Sequence, residues 1–507
     1  MPPLNPLSKS CIALAVSQLL MMPSVSGAAT ITVNSNADNN GAGCTLREAI
    51  VSANTSVNQN NGCAVGSNSG TDTITFSNSL PSNIINLSNE ELSVGAGKDI
   101  EINASTITGG VTIDASQTTS RVISATSASL VLDNLILTGG EEDTDSSFAG
   151  GGIYANASTV TLSNSTVTGN SAFLRGGGIF ASNSTLNLYH SSVNNNRTTG
   201  GEYSYAIGGG IYAREASNVT LNNSTVTGNS SFVTAGVYAR DTDVTINYST
   251  LSDNVSAGGE YGGDGSGLFI RGSVSLMMNN STVSNNTNTG RGAGLVVRSG
   301  ATAIINNSTI TGNSAGNLGG GIFGYDTSTS ITLNNSTVSG NSANRGGGIF
   351  HFRNTMTLNN TTLSDNTAAT GAGFYGSSGS LTLNNSIIAN SMGDDCHDNS
   401  AFPVLMIDSA TIVKDGSCNA NRSGDPGLLD LADNGGPTLT HALAPNSIAI
   451  NSGDAATCLV TDQLGKTRDI SDGFCDVGAL EFDDSLVNDT STFVIPLANG
   501  KTVIFDL

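Results

Sequence analysis

The chain of 507 residues contains no tryptophan, and charged residues make up only 11% of it. Cations are scarce: 18 lysines and arginines stand against 40 aspartates and glutamates, for a formal net charge of −22. This shortage argues against nucleic acid as a partner, because binding phosphates requires Lys and Arg, and against a polybasic membrane contact. Disorder is disfavoured too, since disordered chains combine high charge with low hydrophobicity, whereas 37% of these residues are hydrophobic.

Features of a metal or cofactor site are also missing. No Cys-x-x-Cys pair occurs and the four histidines are scattered, so a zinc site is not expected. The stretch "GGDGSGLF" lacks the spacing of the calcium-binding nonapeptide. We therefore expect no metal and no other cofactor. We expect the histidines to be structural or exposed; they are His190, His351, His397 and His441.

Long apolar runs are absent except at the amino terminus, where residues 1–28 have the pattern of a secretory signal peptide. A lone cation, Lys9, precedes the apolar stretch "CIALAVSQLLMMPSV", and small residues at positions 26–28 allow cleavage before Ala29. A membrane anchor is the alternative, but the stretch is short and is interrupted by polar residues and a proline. We expect cleavage, export to the extracellular space or a bacterial cell surface, and a mature chain without a transmembrane segment.

Loss of the signal segment leaves an even number of cysteines, six. In an exported protein an even count predicts disulfides, and six cysteines allow about fifteen connectivities. The residues fall into three locally spaced pairs. We therefore expect the bridges Cys44–Cys63, Cys396–Cys418 and Cys458–Cys475.

One repeated unit is abundant, and "GGGIYANASTVTLSNSTVTGN" at residues 150–170 is an example. The serine of its "NST" motif, or its equivalent, occurs nine times, at Ser165, Ser191, Ser224, Ser249, Ser281, Ser308, Ser336, Thr361 and Ser386. Apolar residues recur five and three positions before it and two positions after it, as Val160, Leu162 and Val167 do in the first copy. This period of two predicts short strands with one apolar side that repeats in every copy.

Helical repeats and propeller blades do not fit this unit. Glycine and Asn-Ser-Thr clusters interrupt each copy without a helical period, and a propeller blade needs about 40 residues. A unit of about 25 residues fits one coil of a β-solenoid, in which coils stack about 4.8 Å apart. We predict an all-β solenoid of about 12 coils over residues 72–390. In it, the asparagine before each motif serine, such as Asn164 or Asn223, is expected to form an amide ladder between coils.

The repeats resemble those of the chlamydial polymorphic membrane proteins, which share the glycine-glycine-x-isoleucine and short asparagine motifs of "GGGIY" and "NNS". The fold that this resemblance implies is the parallel β-helix of pectate lyases and secreted adhesins. Its right-handed sense is likewise what the resemblance implies.

Both ends of the solenoid are expected to be capped, because exposed edge strands would pair with other chains. Within residues 29–71, the stretch "CTLREAIVSAN" predicts a short amphipathic helix in which Thr45 is the N-cap and Glu48 completes a capping box. The stretch is also similar to the bacterial surface-protein motif Cys-Ser-Leu-Arg-Glu-Ala, with Thr45 in place of serine.

The carboxyl-terminal region carries a second resemblance. Residues 391–482 include "DNGGPTLTHALAPNSIAINSGD" and "CDVGALEF", which resemble the choice-of-anchor Q domain of secreted bacterial β-helix proteins. Members of that family carry various sorting signals, but no cell-wall sorting motif follows here. Residues 483–507 instead predict a hairpin around Asn499-Gly500.

A candidate binding surface follows from the strand after each glycine cluster. Side chains alternate along a strand, so the residue after its inward isoleucine faces outward, and it is aromatic in eight of nine copies. Two residues further on, four consecutive copies carry arginine. Aromatic faces suit sugar rings, and guanidinium forks suit carboxylate or sulfate. The predicted site for an anionic polysaccharide or cell-surface glycan comprises Tyr212, Arg214, Tyr238, Arg240, Phe269, Arg271 and Arg298, beside two inserted "GGEY" loops.

The alternative interpretation of this surface is structural, with stacked rings and arginine–carboxylate pairs that only stabilise the sheet. We assign no catalytic residue, because the candidate acids lie in different columns of the repeat. They are Asp264, Asp326, Glu215 and Asp241. The predicted function is an adhesin, structural or glycan-binding surface protein, with a polysaccharide lyase or glycoside hydrolase as the alternative. An ice-binding protein is the third candidate, because outward threonines such as Thr166 and Thr225 recur along the array.

Overall fold

The computed structural model describes residues 27–38, 43–57, 62–143, 149–201, 206–258, 264–399, 404–483, 492–496 and 502–506. Nearly all of the predicted signal segment lies outside these ranges, and so do residues 202–205 and 259–263 of the two "GGEY" loops. The predicted wall beside the arginines therefore falls partly outside the described residues. Within the ranges, no helix is both long enough and apolar enough to cross a membrane.

Each coil of the central region passes through up to four strands before the next coil repeats the path. One coil contains Ile153–Asn156, Thr159–Ser163, Thr166–Thr168 and Ser171–Ala172, and the next begins at Ile179–Ser182. These strands pair in parallel with their equivalents in neighbouring coils. The chain is therefore a right-handed parallel β-helix of about 12 turns with almost no α-helix, as predicted.

Four parallel sheets, named A to D, run along the β-helix. Sheet A contains Thr30–Val33, Asp72–Phe76, Asp99–Asn103, Ser129–Asp133, Thr159–Ser163, Thr185–Tyr189, Asn218–Asn222, Asp243–Asn247, Ser275–Asn279, Thr302–Asn306, Ser330–Asn334, Thr355–Asn359, Ser380–Asn384 and Val404–Ile407. Sheet B contains Ile84–Asn86, Val111–Asp114, Leu135–Thr138, Thr166–Thr168, Ser192–Asn194, Thr225–Thr227, Thr250–Ser252, Thr282–Ser284, Thr309–Thr311, Thr337–Ser339, Thr362–Ser364, Ile387–Ala389 and Ile412–Val413.

Sheets C and D complete the coils. Sheet C contains Leu92–Val94, Ile123–Thr126, Ile153–Asn156, Ile179–Ser182, Ile211–Arg214, Val237–Arg240, Leu268–Arg271, Leu295–Arg298, Ile322–Tyr325, Ile349–Phe352, Phe374–Ser377 and Cys396–Asp398. Sheet D contains Glu141–Glu142, Ser171–Ala172, Arg197–Thr198, Ser230–Ser231, Val255–Ser256, Thr287–Asn288 and Ser314–Ala315. The other elements described are the α-helix Leu46–Thr55, the 3-10 helix Ser417–Asn419 and two antiparallel pairs, Leu428–Ala432 with Thr440–Leu443 and Thr492–Pro496 with Thr502–Asp506.

The β-helix interior is apolar because alternate residues of each strand point into it. Val167, Val226 and Val338 are fully buried at equivalent positions of sheet B, and the in-register pairing places like residues on like residues. Each coil buries roughly four aliphatic side chains, at about 1.5–3 kcal/mol apiece. Stacking of coils on this interior is the main source of stability.

Two ladders of asparagine side chains run along the β-helix. The asparagines that the sequence analysis assigned to a ladder belong to neither of them. Asn164 and Asn223 are exposed and have φ of +49° at the turn between sheets A and B, a conformation that asparagine tolerates. The buried ladder uses an asparagine six residues further on, whose side-chain oxygen accepts the backbone N–H of its equivalent in the preceding coil. Its members are Asn170, Asn196, Asn229, Asn254, Asn286, Asn313, Asn341 and Asn366. The second ladder uses the residue before the predicted one, as in the 2.9 Å bond from Asn247 to Asn222.

The amino-terminal cap is the predicted helix, Leu46–Thr55. The Thr45 side chain accepts the Glu48 N–H at 3.3 Å, and the Thr45 N–H donates to the Glu48 carboxylate at 3.0 Å. The capping box is therefore confirmed, and helix residues such as Ile50 are buried on the face that covers the β-helix.

All three predicted disulfides are confirmed. They are Cys44–Cys63, Cys396–Cys418 and Cys458–Cys475. The first lies at the amino-terminal cap, the second at the last coil, and the third in the carboxyl-terminal segment. The bridges therefore constrain the two ends of the molecule and leave the stacked repeats to their hydrogen bonds.

Residues 427–482, the carboxyl-terminal segment, fold back over the outer face of sheet B. Thr337 donates a 2.7 Å hydrogen bond to the Gln463 side chain, and Thr362 accepts the Ala479 N–H at 2.9 Å. Both threonines are buried as a result. The outward threonine array that motivated the ice-binding alternative is therefore covered on these coils.

Candidate functional site

The four predicted arginines form one column on the outer face of sheet C. Arg214 is in register with Arg240, Arg240 with Arg271, and Arg271 with Arg298. Each is the last residue of its strand. With coils about 4.8 Å apart, the guanidinium groups line up over about 15 Å. We call this set the arginine column.

Carboxylates neutralise three members of the arginine column. Arg214 and Arg240 each pair at 3.3 Å with the acidic residue that follows them in sequence. Arg298 pairs with Asp264, whose other oxygen lies 3.5 Å from Arg291. These pairs relieve the repulsion that stacked like charges would otherwise cause. Exposure still differs, since the Arg240 side chain is 56% exposed and that of Arg298 only 28%.

Arg271 is the exception in the column. Within the described chain, its exposed guanidinium has no carboxylate at ion-pair distance. Its positive charge lies near the Tyr238 ring and acts to lower the pKa of that phenol. Burial of that ring raises the pKa of Tyr238, and the neighbouring Tyr212 adds to the effect, so Tyr238 remains neutral and leaves the positive charge uncompensated. Arg271 is therefore the member of the arginine column whose charge no carboxylate of the described chain neutralises.

The aromatic column is buried, which contradicts the prediction that its ring faces are open to sugars. Tyr212, Tyr238 and Phe269 are each 4% exposed, and successive rings stack with centroids 5.0 and 5.1 Å apart. The residue before each glycine cluster lies over the column: Ile207 packs against the rings, and the Arg175 guanidinium lies 6.0 Å from the Tyr212 centroid. The rings form a second apolar core outside the β-helix, so their role is the structural one.

Two partly exposed aromatic residues extend the arginine column, and the sequence analysis did not single them out. Arg298 is in register with Tyr325, and Tyr325 with Phe352. The two rings stack at 5.0 Å, Arg298 lies 4.9 Å from the Tyr325 centroid, and Arg353 lies 4.7 Å from that of Phe352. The repeat alignment already placed both residues in the arginine position, which is the signal that would have found them.

The expectation that the candidate acids lie in different columns is wrong for three of them, because Glu215, Asp241 and Asp326 share the turn position after the sheet C strand. They still do not converge on one point of this surface. Glu215 and Asp241 follow the arginines at turns with φ of +61° and +50°. Asp241 accepts a backbone N–H of the next coil at 3.1 Å, and Asp326 accepts one of the preceding coil at the same distance. Asp264 is held between two arginines. Each carboxylate therefore supports a turn or neutralises a cation.

The four histidines are structural or exposed, as expected. His190 is an exposed turn residue, and His397 stacks on Tyr375 at 5.2 Å. His441 belongs to the carboxyl-terminal segment and is buried against sheet B, 2.8 Å from the Ser339 hydroxyl. His351 points into the β-helix, where burial lowers its pKa to about 4. In the part of the chain that the structure describes, no three His, Cys, Asp or Glu side chains are grouped to hold a metal ion.

A family model supports the fold of the central coils. A family described as a right-handed β-helix region matches residues 144–293, which include three of the four arginine-bearing strands. Among solved structures, the periplasmic alginate epimerase AlgG is 12% identical with a TM-score of 0.39, over 65% of this chain and 78% of that one. Pectate lyase Pel9A is 15% identical with a TM-score of 0.35, over 90% of this chain and 96% of that one. A search of curated proteins found no match.

Proposed function

We propose that this chain is an exported surface protein that binds an anionic polysaccharide along the arginine column without turning it over. The observation that carries the proposal is the in-register column itself, in which exposed Arg271 has no carboxylate partner in the described chain. A carboxylated or sulfated polymer also repeats its charge at regular intervals, so a linear array of guanidinium groups is complementary to it.

The strength of this binding can be estimated from the exposure of the arginines. Exposed ion pairs contribute about 0.2–1 kcal/mol each, so four contacts give at most about 4 kcal/mol, which corresponds to a Kd of about 1 mM. The net charge of −22 opposes an anion at long range, but charges beyond about 8 Å are largely screened at physiological salt. The binding is therefore weak, local and sensitive to salt, which suits attachment through many copies.

Export is supported by the disulfide pairs and by the signal-like amino terminus, because disulfides persist in oxidising compartments. An adhesive or structural role at a cell surface fits a long, regular and stably capped molecule. A lyase or hydrolase is the second candidate, since Glu215 and Asp241 lie directly beside arginines that would hold a polyuronate.

The test compares Arg240→Ala/Arg271→Ala with Arg197→Ala, which removes an exposed cation from sheet D. Binding to polygalacturonate and to uncharged dextran is measured by affinity electrophoresis at low and physiological salt. We expect the double variant to lose at least about five-fold in affinity with a nearly unchanged melting temperature, because exposed pairs add little stability. Arg197→Ala should bind like the parent protein.

Equal binding by the double variant would refute the proposal. The proposal would also be refuted if the parent protein bound neither polymer and the double variant melted at a much lower temperature. The arginine column would then be structural. Release of unsaturated products or new reducing ends from the polyuronate would favour the enzyme.

A further inference from the structure

A shallow trough of about 440 Å³ lies at the corner between sheets C and A, on the coils that precede the arginine column. Its lining includes Lys98, Ser127, Thr159 and Asn183, one from each of four successive coils. A smaller depression of about 120 Å³ adjoins it and shares Lys98. The trough therefore runs along the β-helix axis, in the same direction as the arginine column.

The trough exists because the corner residues on these coils are small. The turn positions hold Ser127, Ala157 and Asn183, whereas the next two coils hold Glu215 and Asp241. The last strand residue changes in the same way, from a serine at position 182 to an arginine at 214, which are in register. The trough consequently ends where the arginine column begins.

Arg214 leans toward this junction. Its guanidinium lies 5.4 Å from the ring of Phe180, which belongs to the preceding coil. The partner carboxylate of Glu215 also reaches back to that coil, where it accepts a hydrogen bond from Ser182. Trough and column therefore meet at one charged boundary and form a continuous surface.

The lining of the trough is polar but nearly neutral. Lys98 and Asp99 are adjacent and opposite in charge, and each is engaged locally: the ammonium donates to Ser56 at 3.2 Å, and the carboxylate accepts from Thr71 at 2.6 Å. The remaining side chains of the lining are hydroxyls, an amide and methyl groups. Such a surface offers hydrogen bonds to hydroxyl groups and no net attraction to an anion.

We infer that the trough is a second subsite for the same polysaccharide and that it takes uncharged, hydroxyl-rich sugar units. This inference rests on the proposed function of the arginine column. Seven coil steps separate the coil of Lys98 from that of Arg298, so the combined surface is about 34 Å long, enough for roughly seven sugars. The preferred ligand is a polymer in which a run of uncharged sugars adjoins a run of charged ones, rather than a uniformly charged chain.

Thr159→Trp tests the subsite, because this exposed strand residue lines the trough and a strand accepts an aromatic side chain there. Thr355→Trp is the matched control, since Thr355 is exposed at the equivalent position of sheet A on a distant coil. Thr185→Trp, one coil beyond Thr159, is the second trough variant if the first one is unstable. The probes are fully de-esterified polygalacturonate and a blockwise methyl-esterified form of it, whose esterified runs are uncharged.

We expect the parent protein and Thr355→Trp to bind the blockwise form at least about five-fold more tightly than the de-esterified form. Thr159→Trp should abolish that preference and leave the affinity for de-esterified polymer unchanged. A parent protein without the preference, or a trough variant that keeps it, would overturn the subsite alone. If Arg240→Ala/Arg271→Ala bound both polymers as tightly as the parent protein does, the proposed function would be overturned, and the subsite with it.

Discussion

Replacement of Asn286 by alanine tests the view that the buried amide ladder holds the coils together. The Asn286 side-chain oxygen accepts the backbone N–H of Asn254 at 3.1 Å and its amide at 2.9 Å. The Asn286 amide donates to the Leu251 carbonyl at 3.0 Å and to Asn313 at 2.9 Å. All three ladder asparagines are fully buried, so water cannot replace these bonds without the coils separating.

The size of the effect follows from which groups lose their last partner. The Asn254 amide keeps the Val226 carbonyl at 3.0 Å, and the Asn313 oxygen keeps the backbone N–H of residue 286. The Asn254 N–H loses its acceptor, however, and the Leu251 carbonyl loses this donor. That carbonyl stays in the sheet B ladder, because Leu251 remains paired in register with the next coil, so only the Asn254 N–H is left without a partner. A buried polar group without a partner costs about 1–3 kcal/mol, and Asn286→Ala should therefore lower the free energy of unfolding by about 1–3 kcal/mol.

The measurement is guanidinium denaturation followed by circular dichroism, with Asn223→Gly as the control. Asn223 is exposed at a turn with φ of +49°, which glycine adopts freely. The control should therefore change stability by less than about 0.5 kcal/mol. If Asn286→Ala lost less than about 1 kcal/mol, the ladder would be incidental to stability.

Two further predictions concern the interior. The pKa of His351 is about 4 in the fold against 6.5 in the unfolded chain, so the unfolded state binds more protons between these values. The free energy of unfolding should therefore fall as the pH drops from 6.5 toward 4, by up to about 3 kcal/mol. His351→Phe should flatten the pH profile of the denaturation midpoint in that window. An unaltered profile would contradict the pKa assigned to His351. A Cβ on Gly210 would lie 2.8 Å from the Gly236 carbonyl, so Gly210→Ala should cost about 1–3 kcal/mol. Gly201→Ala, where a Cβ meets nothing within 4 Å, should be nearly neutral in the same assay, and equal losses would refute the steric argument.

The repeat pattern predicted the fold because a parallel β-helix uses the same residue for the same purpose in every coil. The position that holds Val167 in one copy and Val226 in another is inward in both. The arginine column could be found by counting residues along the strand that follows each glycine cluster. Thr45 and Glu48 form a local motif, so the cap was equally accessible to prediction. The period of two indicates only on which side of the strand a residue lies.

The errors arose where a second layer covers the outside of a strand. Tyr238 faces away from the β-helix interior, as predicted, but the residues that bury the rings lie outside the named strands. They share one position, just before each glycine cluster, and their types vary, as Arg175 and Ile207 show, so no apolar pattern marks them. Thr337 is outward as well, yet it is covered by Gln463, which is distant in sequence. The choice between adjacent asparagines, Asn222 and Asn223, depended on which one occupies the left-handed turn, and the sequence does not distinguish them.

The amide ladder also bears on what duplication of a repeat would do to the length of this protein. The Asn254 side-chain oxygen accepts the Asn229 N–H, and the Asn254 N–H donates to the Asn286 side-chain oxygen, so each step of the ladder repeats the same bond. An in-frame duplication of one unit, such as residues 224–248, inserts a coil that finds both partners ready and lengthens the molecule by about 4.8 Å. The terminal disulfides are untouched, and the carboxyl-terminal segment keeps its place because its contacts with sheet B involve later coils. The gene can therefore change the reach of its product one coil at a time while both caps stay constant.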